Sequence, residues 1–413
     1  MAVDVRGCET LITAHICTYE SLSERSPEAP AECIPAPGYY QIDDKRQSEC
    51  ALILFAQHTQ TTGHVVMKIL HEYKDTRYNL ETESKRQQCQ LEALERNRVF
   101  TPEVYIGLAR IQELDLCQQY ILLDDTIKNP TQAMLEPEAE YALVMRQLPE
   151  ERRLDHLLKE ESEDTLKDYM HLLSKYVAHV HTHLVKPLEP DEDETQWGSY
   201  EQLHSKLLHN FELLDLVLTT QQNSRCRCHA YNQLEDRLIR LKDTLKQIFT
   251  DDIYRQYFDQ RRVQQRMKHC HGDLKAPHIW IASHDGCCEQ EPWENVSLLD
   301  AADFNSSYTH IDVLSDLALL VVDVQARAQW AHLADVLMEN YLLYTNEQDE
   351  PSRAVLAYYL VEKAIVGTAI SLVYDNLPDL GWAFLAVAEM RLQCLVEMQH
   401  HLALESGGSS RNI

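Results

Sequence analysis

A histidine, a glycine and an aspartate stand together in the segment CHGDLKAPHIW, residues 270–280, ahead of a short polar loop and an apolar stretch. A carboxylate in such a loop can accept the proton of a hydroxyl group, or orient that hydroxyl for attack on an electrophile. Asp273 is therefore the first candidate for catalysis. The structural alternative is a loop carboxylate that only caps its own backbone.

A lysine and an aspartate in two other apolar segments could supply further charge. Lys68 lies between Met67 and Ile69 in the run HVVMKIL, and a lysine in such a strand needs either a path to water or an anionic partner. Asp300 ends the run VSLLD. A carboxylate at the end of a buried strand favours a nearby cation or hydrogen-bond donors. Asp303 is the second choice for this role.

The segments around the lysine predict a hairpin followed by a helix. Residues 51–70 form two β-rich runs around a polar turn that contains a glycine, which is typical of a β-hairpin. Residues 81–97 are rich in helix-forming residues and precede a proline. Glu92 and Glu95 share one face of this helix, so either could reach a lysine on a neighbouring strand.

The rest of the chain is predicted to be mainly helical. A strand over residues 141–145 runs into the polar segment RQLPEERR and then into a helix that begins near Leu154. Two long apolar segments, roughly residues 353–375 and 380–404, are separated by a proline, which breaks a helix. Charged residues interrupt both segments, which indicates bundle helices and not a membrane hairpin.

The charge and cysteine content of the chain limit the kinds of molecule that it can bind and the compartment in which it works. The chain of 413 residues has a formal net charge of -28, which disfavours binding to nucleic acid or to an anionic membrane and suits a cationic small molecule. The N-terminal residues have no export signal and predict a cytoplasmic protein. The 12 cysteines lack a regular framework and are interpreted as reduced thiols. The pairs at residues 226–228 and 287–288 lack the spacing of a zinc site.

Six motifs in one order resemble the protein-kinase-like superfamily, in its branch of aminoglycoside phosphotransferases and choline kinases. They are VVMKIL, CQLEALERNRVFTPEVYIGL, LVMRQLP, HGDL, LLDAADFN and HIDVLSDLALLVVDVQAR. The sequence is similar to a group of uncharacterised bacterial phosphotransferase-like proteins over roughly residues 50–390. The resemblance implies an α+β, bilobal protein-kinase-like fold. A small antiparallel β-sheet with one helix would form an N-terminal lobe over residues 1–148, a large, mainly helical lobe would cover 149–405, and 406–413 would be a flexible tail.

The same resemblance implies roles for individual residues. Lys68, held by Glu92, would bind the α- and β-phosphates of ATP, and Asp273 would act on the acceptor hydroxyl. Asp312 and Asp316 would support the catalytic loop. The implied nucleotide-binding set is Lys68, Glu92, Met145 and Gln147. The implied metal set is Asp300 with His278.

Two departures from the family pattern leave the activity open. His278 stands where the family loop H-G-D-L-x-x-x-N has an asparagine, and an imidazole suits Mn²⁺ or Zn²⁺ better than Mg²⁺. The segment YYQIDDKRQSEC contains no glycine, so that Lys45 and Arg46 would have to replace the backbone amides of a glycine-rich loop.

Two hypotheses follow. The first is a phosphotransferase that uses ATP with Mg²⁺ or Mn²⁺ on a small, hydroxyl-bearing substrate, for which the net charge favours a cation. The second is a pseudokinase-like binding or scaffolding protein. The sequence makes no prediction of oligomeric state.

Overall fold

A computed structural model describes most of the chain. The described residues are 38–48, 50–60, 63–74, 79–188, 197–223, 229–248, 252–282, 295–302, 306–374 and 377–408. The chain divides into two compact units, Met1–Arg153 with Ser297–Ser306, and Leu154–Val296 with Ser307–Ile413. Asp303 and both of the cysteine pairs considered for zinc lie outside the described residues.

The first unit is built on six antiparallel strands. They are β1 (Gly38–Gln47), β2 (Ala51–His58), β3 (His64–Leu70), β4 (Tyr105–Asp115), β5 (Tyr120–Leu123) and β6 (Tyr141–Arg146). They pair in the order β1-β2-β3-β6-β4-β5, and β5 also pairs with β1, so the ladder closes into a barrel. The predicted antiparallel pairing is confirmed, but the predicted small sheet is in fact a closed barrel. Two outer strands of a small twisted sheet can satisfy their free backbone groups by pairing with each other.

Buried and partly buried residues alternate along the strands, which shows which side chains point into the barrel and which point to its outer face. Val65, Met67 and Ile69 of β3 are buried in the core, whereas Lys68 between them is only partly buried. Successive residues of a strand point to opposite faces, so Lys68 lies on the outer face. The predicted hairpin over 51–70 is confirmed, because β2 and β3 pair in antiparallel register from Ala51 with Leu70 to Gln57 with His64.

One helix, α1 (Glu83–Phe100), packs on the outer face of the barrel. The Thr82 side chain caps it by accepting a hydrogen bond from the Lys85 backbone N–H. Ala93 and Leu94 pack in one buried cluster with residues of β4 and β6. The helix predicted over 81–97 is confirmed, with both ends shifted by two to three residues.

The second unit is mainly helical, as predicted. Its helices are α2 (Leu154–Glu160), α3 (Glu163–His179), α4 (Tyr200–Asn223), α5 (His229–Ile248), α6 (Asp252–Val263), α7 (Ser306–Thr309), α8 (Val313–Arg327), α9 (Leu333–Thr345), α10 (Glu350–Ala369) and α11 (Pro378–Gly408). The short strands of the remaining chain are β7 (Met267–His269), β8 (Ile279–Ile281), β9 (Val296–Leu298) and β10 (His310–Asp312). β7 and β10 pair antiparallel. The two long C-terminal segments predicted from sequence correspond to α10 and α11, and α11 continues into the predicted tail as far as Gly408.

Short irregular turns complete the secondary structure. They comprise 3₁₀ helices at Gln132–Met134, Glu150–Arg152 and Ala276–His278, and π-helical turns at Val180–Leu184 and Ile370–Tyr374. The segment Glu350–Val373 is long and apolar enough to cross a membrane by length and composition, but 83% of its apolar window is buried inside the structure. That burial is typical of a core helix.

A buried ion-pair network joins the start of α8 to α6. The Arg261 guanidinium, 1% exposed, binds both carboxylate oxygens of Asp312 and donates to Glu347 at 2.8 Å. Asp312 also accepts from the Leu314 N–H at 2.9 Å and so caps α8. Because breaking a buried pair leaves an uncompensated charge, Asp312 has a structural role, as predicted.

Candidate active site

Lys68 and Asp300 are close together in the first unit although they are far apart in sequence. Lys68 Nζ lies 3.7 Å from Asp300 Oδ1, and the two side chains are 13% and 39% exposed. An ammonium and a carboxylate in partial contact with solvent can each turn toward a ligand, the first toward phosphate oxygens and the second toward a divalent cation. This pair is the strongest chemical feature of the first unit.

The backbone holds Asp300 in an unusual conformation. Its φ is +60°, in the left-handed region that residues other than glycine rarely adopt. The Asp300 N–H donates to the Tyr105 hydroxyl at 2.9 Å, and the next N–H, of Ala301, donates to Asn97 Oδ1 at 2.9 Å. Thr101 makes two further hydrogen bonds, both 2.8 Å, to the strand that precedes this turn. Such strain persists only where the surrounding structure fixes it, and it is concentrated at functional sites.

The predicted ion pair between Lys68 and Glu92 is wrong. Glu92 is exposed and accepts a hydrogen bond from Gln88 Nε2 at 2.6 Å. The residue of α1 that meets β3 is Gln90, whose Nε2 donates to the Lys68 carbonyl oxygen at 3.2 Å. A step of two residues turns an α-helix by about 200°, so Glu92 points away from the strand. Glu95, the alternative, is also exposed.

An apolar surface lies next to Lys68 on the outer face of the barrel. Strand register places Val66 opposite Phe55 on one side and Met145 on the other. Lys68 and its partner Ile53 lie in the adjacent row of the same face, because residues two apart on a strand share a face. All four of these apolar side chains are only partly buried, so the surface can accept a flat apolar group.

Arg46 extends across part of this surface. Its guanidinium lies 4.4 Å from the centroid of the Phe55 ring. It also pairs with Glu150 at 3.5 Å and with Asp44 at 3.6 Å. Gln147, predicted to contact the nucleotide, follows β6 in an exposed position. Arg46 therefore adds a second cation to the outer face that carries Lys68.

Asp273 lies in the second unit, where two side chains contact its carboxylate. Lys275 Nζ is 3.0 Å from Asp273 Oδ2, and His278 Nδ1 is 3.5 Å from the same oxygen. His278 Nδ1 is also 2.9 Å from the Asp273 carbonyl oxygen. A carbonyl only accepts, so Nδ1 carries a proton and Nε2 is the atom through which His278 could bind a metal. Sequence reasoning missed Lys275, although its place two residues after Asp273 was a signal.

The turn that presents Asp273 depends on Gly272 and on a buried carboxylate. Gly272 has a φ of +81°, and a Cβ there would lie 2.6 Å from the Tyr308 carbonyl oxygen, so a side chain does not fit. The Asp316 carboxylate accepts from the N–H groups of His271 at 3.0 Å and Gly272 at 2.9 Å, and contacts His181 Nε2 at 3.2 Å. The predicted support of the loop by Asp316 is confirmed.

A second buried aspartate of α8 supports the same loop. Asp323 Oδ2 accepts from the Ala276 N–H at 2.8 Å, and its other oxygen accepts from Arg327 Nε at 2.7 Å. Sequence reasoning missed Asp323. The signal was an aspartate within the strongly apolar run LALLVVDV, because a buried carboxylate requires donors.

The donor atoms of His181, Cys270 and Asp316 lie within 4.8 Å of one another, but they do not fit a metal ion. Both ring nitrogens of His181 are engaged, since Nδ1 lies 2.8 Å from the Tyr341 hydroxyl and Nε2 contacts Asp316. Burial raises the pKa of the Cys270 thiol well above its usual value, whereas metal binding needs the thiolate. This cluster belongs to the support of the loop.

We expect Asp316→Asn to destabilise the protein in a pH-dependent way. Burial opposes ionisation of Asp316, yet the hydrogen bond from His181, the nearby imidazoles and the Gly272 N–H together hold its pKa below the usual value. A depressed pKa contributes stability above the unfolded-state pKa, and that stability is lost as the pH falls through the folded-state value. The variant should therefore lose about 1–3 kcal/mol near pH 7, and the difference should shrink below about pH 4. Urea unfolding across this range measures it, and a difference that is constant down to pH 3 contradicts the assignment.

No family model matches the chain, and no curated protein matches it in sequence. Many solved structures are similar to it, among them three phosphotransferases or kinases. They are an aminoglycoside phosphotransferase from Alicyclobacillus acidocaldarius (12% identity, TM-score 0.47, 92% of this chain and 98% of that chain), a choline kinase from Cryptosporidium parvum (10%, 0.43, 89% and 91%) and an ethanolamine kinase from Plasmodium vivax (9%, 0.41, 84% and 81%). Two of the three are named as an aminoglycoside phosphotransferase and a choline kinase, the proteins that the sequence motifs resemble. At these identities, the activity of this chain has to be inferred from its own residues.

Proposed function

We propose that this protein transfers a phosphoryl group from ATP to a hydroxyl group of a small molecule. The observation that carries the proposal is the Lys68–Asp300 pair, with 3.7 Å between Nζ and Oδ1 and a strained backbone at Asp300. Phosphoryl transfer depends on positioning and on neutralising phosphate charge. The pair offers an ammonium for the phosphate oxygens and a carboxylate for the cation that accompanies them.

The outer face of the barrel supports a nucleotide beside this pair. The partly buried surface of Phe55, Val66 and Met145 suits the base, with Met145 and Gln147 at the end of β6 as its proposed contacts. Arg46 on the same face would bind phosphate oxygens through its guanidinium. Its charge would replace the amides of a glycine-rich loop.

The residues fit a divalent cation of moderate hardness. Asp300 offers a partly exposed carboxylate, which suits Mg²⁺ or Mn²⁺, and an imidazole ligand such as His278 would suit Mn²⁺ better than Mg²⁺. When bound, such an ion neutralises negative charge on the phosphates. We propose Asp300 as its main protein ligand.

Asp273 is the proposed proton acceptor. Its carboxylate takes the proton of the acceptor hydroxyl while the hydroxyl oxygen bonds to the γ-phosphorus, the bond from that phosphorus to the bridging oxygen breaks, and ADP leaves. Lys275, at 3.0 Å, fixes the orientation of the carboxylate. The net charge of -28 favours the approach of a cationic acceptor. Choline, ethanolamine and aminoglycosides, after which the similar structures are named, form the first panel of acceptors to test.

A pseudokinase-like binding protein is the second candidate, and the β1–β2 turn favours it. This turn has no glycine and is closed by hydrogen bonds from the Ser48 N–H to the Ala51 carbonyl at 2.8 Å and from the Ala51 N–H to Ser48 Oγ at 3.1 Å. Arg46 meanwhile covers the Phe55 ring and reaches Glu150. Both features limit the approach of phosphates and base, and they would weaken nucleotide binding.

Thermal denaturation with nucleotide and metal distinguishes the two candidates. A ligand that binds only the folded state stabilises it by about 2.7 kcal/mol at 100 times its Kd, which raises the melting temperature by several degrees. We expect ATP with Mn²⁺ to stabilise the protein more than ATP with Mg²⁺. His278→Asn should narrow or reverse this order, because an amide oxygen is a harder ligand than an imidazole nitrogen.

Lys68→Met serves as the control in this experiment and should lose the shift with either metal. Titration has to reach millimolar ATP, since a turn without glycine is expected to bind phosphates weakly. If the wild type shows no shift with any nucleotide and metal at that concentration, the binding-protein candidate is favoured over the enzyme.

A further inference from the structure

Strand register places Arg46 in the same row of the outer face as Lys68. Arg46 of β1 lies opposite Ile53 of β2, and Ile53 lies opposite Lys68 of β3. Opposite residues of antiparallel strands share a face, and neighbouring strands are about 4.8 Å apart. The Cα atoms of Arg46 and Lys68 are therefore separated by roughly 10 Å, and the long Arg46 side chain can reach phosphates that Lys68 would bind.

The Arg46 side chain does not extend toward Lys68 but covers the ring of Phe55, in the adjacent row. Its guanidinium carbon lies 4.4 Å from the ring centroid, which is a cation–π contact. Phe55 lies opposite Val66, and both belong to the surface proposed for the base. A flat base cannot stack on the side of the ring that the guanidinium occupies.

Glu150 helps to hold the guanidinium over this ring. Its Oε2 lies 3.5 Å from Arg46 Nη2, and the two side chains are 35% and 23% exposed. The other oxygen, Oε1, accepts from Arg153 Nη1 at 2.7 Å, so Glu150 keeps a cationic partner when Arg46 leaves. Asp44, more exposed, lies 3.6 Å from Arg46 Nε. Ion pairs between partly exposed side chains contribute little free energy, so a stronger anion can take Arg46 away from Glu150.

We propose that the Arg46–Glu150 pair makes binding of the base conditional on the phosphates of the nucleotide. The pair covers the base surface until phosphates replace Glu150 as the partner of Arg46. A triphosphate can do so, because it carries more negative charge than one carboxylate and offers several oxygens to the planar guanidinium. Arg46 then turns toward the phosphates beside Lys68 and uncovers Phe55. Adenosine offers no such exchange and has to displace the guanidinium without compensation.

This inference rests on the proposed function, because it concerns the ligand selectivity of the same site. Arg46 determines the preference for a phosphorylated nucleotide over a nucleoside, and Glu150 is a positioning residue that acts through Arg46. All of the residues involved belong to the first unit. An ion pair that only supports the fold would affect the binding of adenosine and ATP alike, whereas this pair should affect them differently.

Equilibrium dialysis of the full chain with adenosine, and separately with ATP and Mn²⁺, tests the proposal at ligand concentrations up to about 10 mM. Arg46→Met should bind adenosine about two- to fivefold more tightly, because neither the cation–π contact nor the ion pair then competes with the base. The same variant should bind ATP about tenfold more weakly, since charge-assisted hydrogen bonds to the phosphates are lost. The opposite signs of these two changes distinguish the proposal from a general effect on the site.

Glu150→Gln tests the positioning role. An amide holds the guanidinium less strongly than a carboxylate, so both adenosine and ATP should bind about two- to fivefold more tightly than to the wild type. In the transfer reaction, the KM for ATP should fall more than kcat changes. Glu151→Gln is the matched control, because it removes the neighbouring, exposed carboxylate. It should bind both ligands as the wild type does.

Salt provides a second measurement that needs only the wild type to show the effect. Adenosine carries no charge, so added KCl acts on its binding mainly by screening the Arg46–Glu150 pair. Between about 20 and 300 mM KCl, adenosine should bind about twofold more tightly, while ATP should bind more weakly. Glu150→Gln should lose the response of adenosine to salt.

The outcomes separate this inference from the proposed function. If the wild type binds ATP but Arg46→Met changes the affinities for adenosine and ATP in the same direction, the pair does not control access of the base, and the proposed phosphotransfer still stands. The same holds if Glu150→Gln binds both ligands no more tightly than Glu151→Gln. If neither ligand binds to the wild type or to any variant, this face holds no nucleotide, and both proposals are wrong. Adenosine that binds to Glu150→Gln but not to the wild type supports the inference.

Discussion

Asp273→Asn is expected to lower the rate of ATP-dependent phosphoryl transfer by about 10²- to 10⁴-fold, the usual contribution of a positioned general base. An amide cannot take the hydroxyl proton, but it keeps the size of the side chain and an oxygen that can still accept from Lys275. Stability and nucleotide binding should therefore change little. Initial rates of ADP formation with the acceptor panel measure the effect.

Asp168→Asn is the matched control for this change, because it removes an exposed carboxylate from α3. It should leave the rate as in the wild type. If Asp273→Asn transfers phosphate as fast as this control, Asp273 is not the proton acceptor and the proposed chemistry of the second unit is wrong.

Lys68→Met and Asp300→Asn should each lower kcat/KM by about 10²–10³-fold, as expected for groups that stabilise charge developing in the transition state. The double variant should lose less than the product of the two effects, because residues in contact are coupled. Lys128→Met, at an exposed position between β5 and β6, is the control and should have little effect. Independent, multiplicative losses would show that the two charges do not serve one ligand.

The variant Asp300→Gly distinguishes a functional role of Asp300 from a structural one, because stability and activity should change in opposite directions. Glycine adopts a φ of +60° without strain, so relief of the strained backbone should raise the free energy of unfolding by about 1 kcal/mol or more. The activity should nevertheless fall with the loss of the carboxylate. A variant that is both less stable and inactive would mean that Asp300 serves mainly to hold the fold.

The local elements of the fold could be predicted from sequence, because their signals are local. The β2–β3 hairpin, α1, the strand–hinge–helix order after Tyr141 and the two C-terminal helices follow from alternation, helix formers and prolines. Lys68 and Asp300 could be singled out from sequence because the first interrupts and the second ends an apolar run, whereas Asp273 was singled out by the His-Gly-Asp segment that contains it. The closure of the barrel could not, because pairing of β1 with the short β5 leaves no trace in either segment alone.

The partners of these residues were harder to predict than their positions. The choice of Glu92 failed because two acidic residues on a helix do not reveal which face of that helix meets the sheet, and the buried face contains Gln90 and Ala93 instead. The residues that hold Asp300, among them Tyr105 and Asn97, are far away in sequence. They lie within the motif CQLEALERNRVFTPEVYIGL, but the motif alone does not indicate that they contact Asp300. Asp323 is an exception, because a charged residue at a buried position of a helix is visible in sequence as a break in the apolar stripe.

The closed barrel also limits how the first unit can associate with other chains. A sheet edge offers unpaired backbone groups to which an extended peptide or a second copy can add a strand. Among the described strands β1 to β6, each has two neighbours in the closed ladder, and the edge that stays open is short, because residues 43–47 of β1 pair with β2 but not with β5. Within the described strands, a partner therefore has to recognise mainly side chains, and only this short stretch of β1 could template an intermolecular sheet during folding or storage at high concentration.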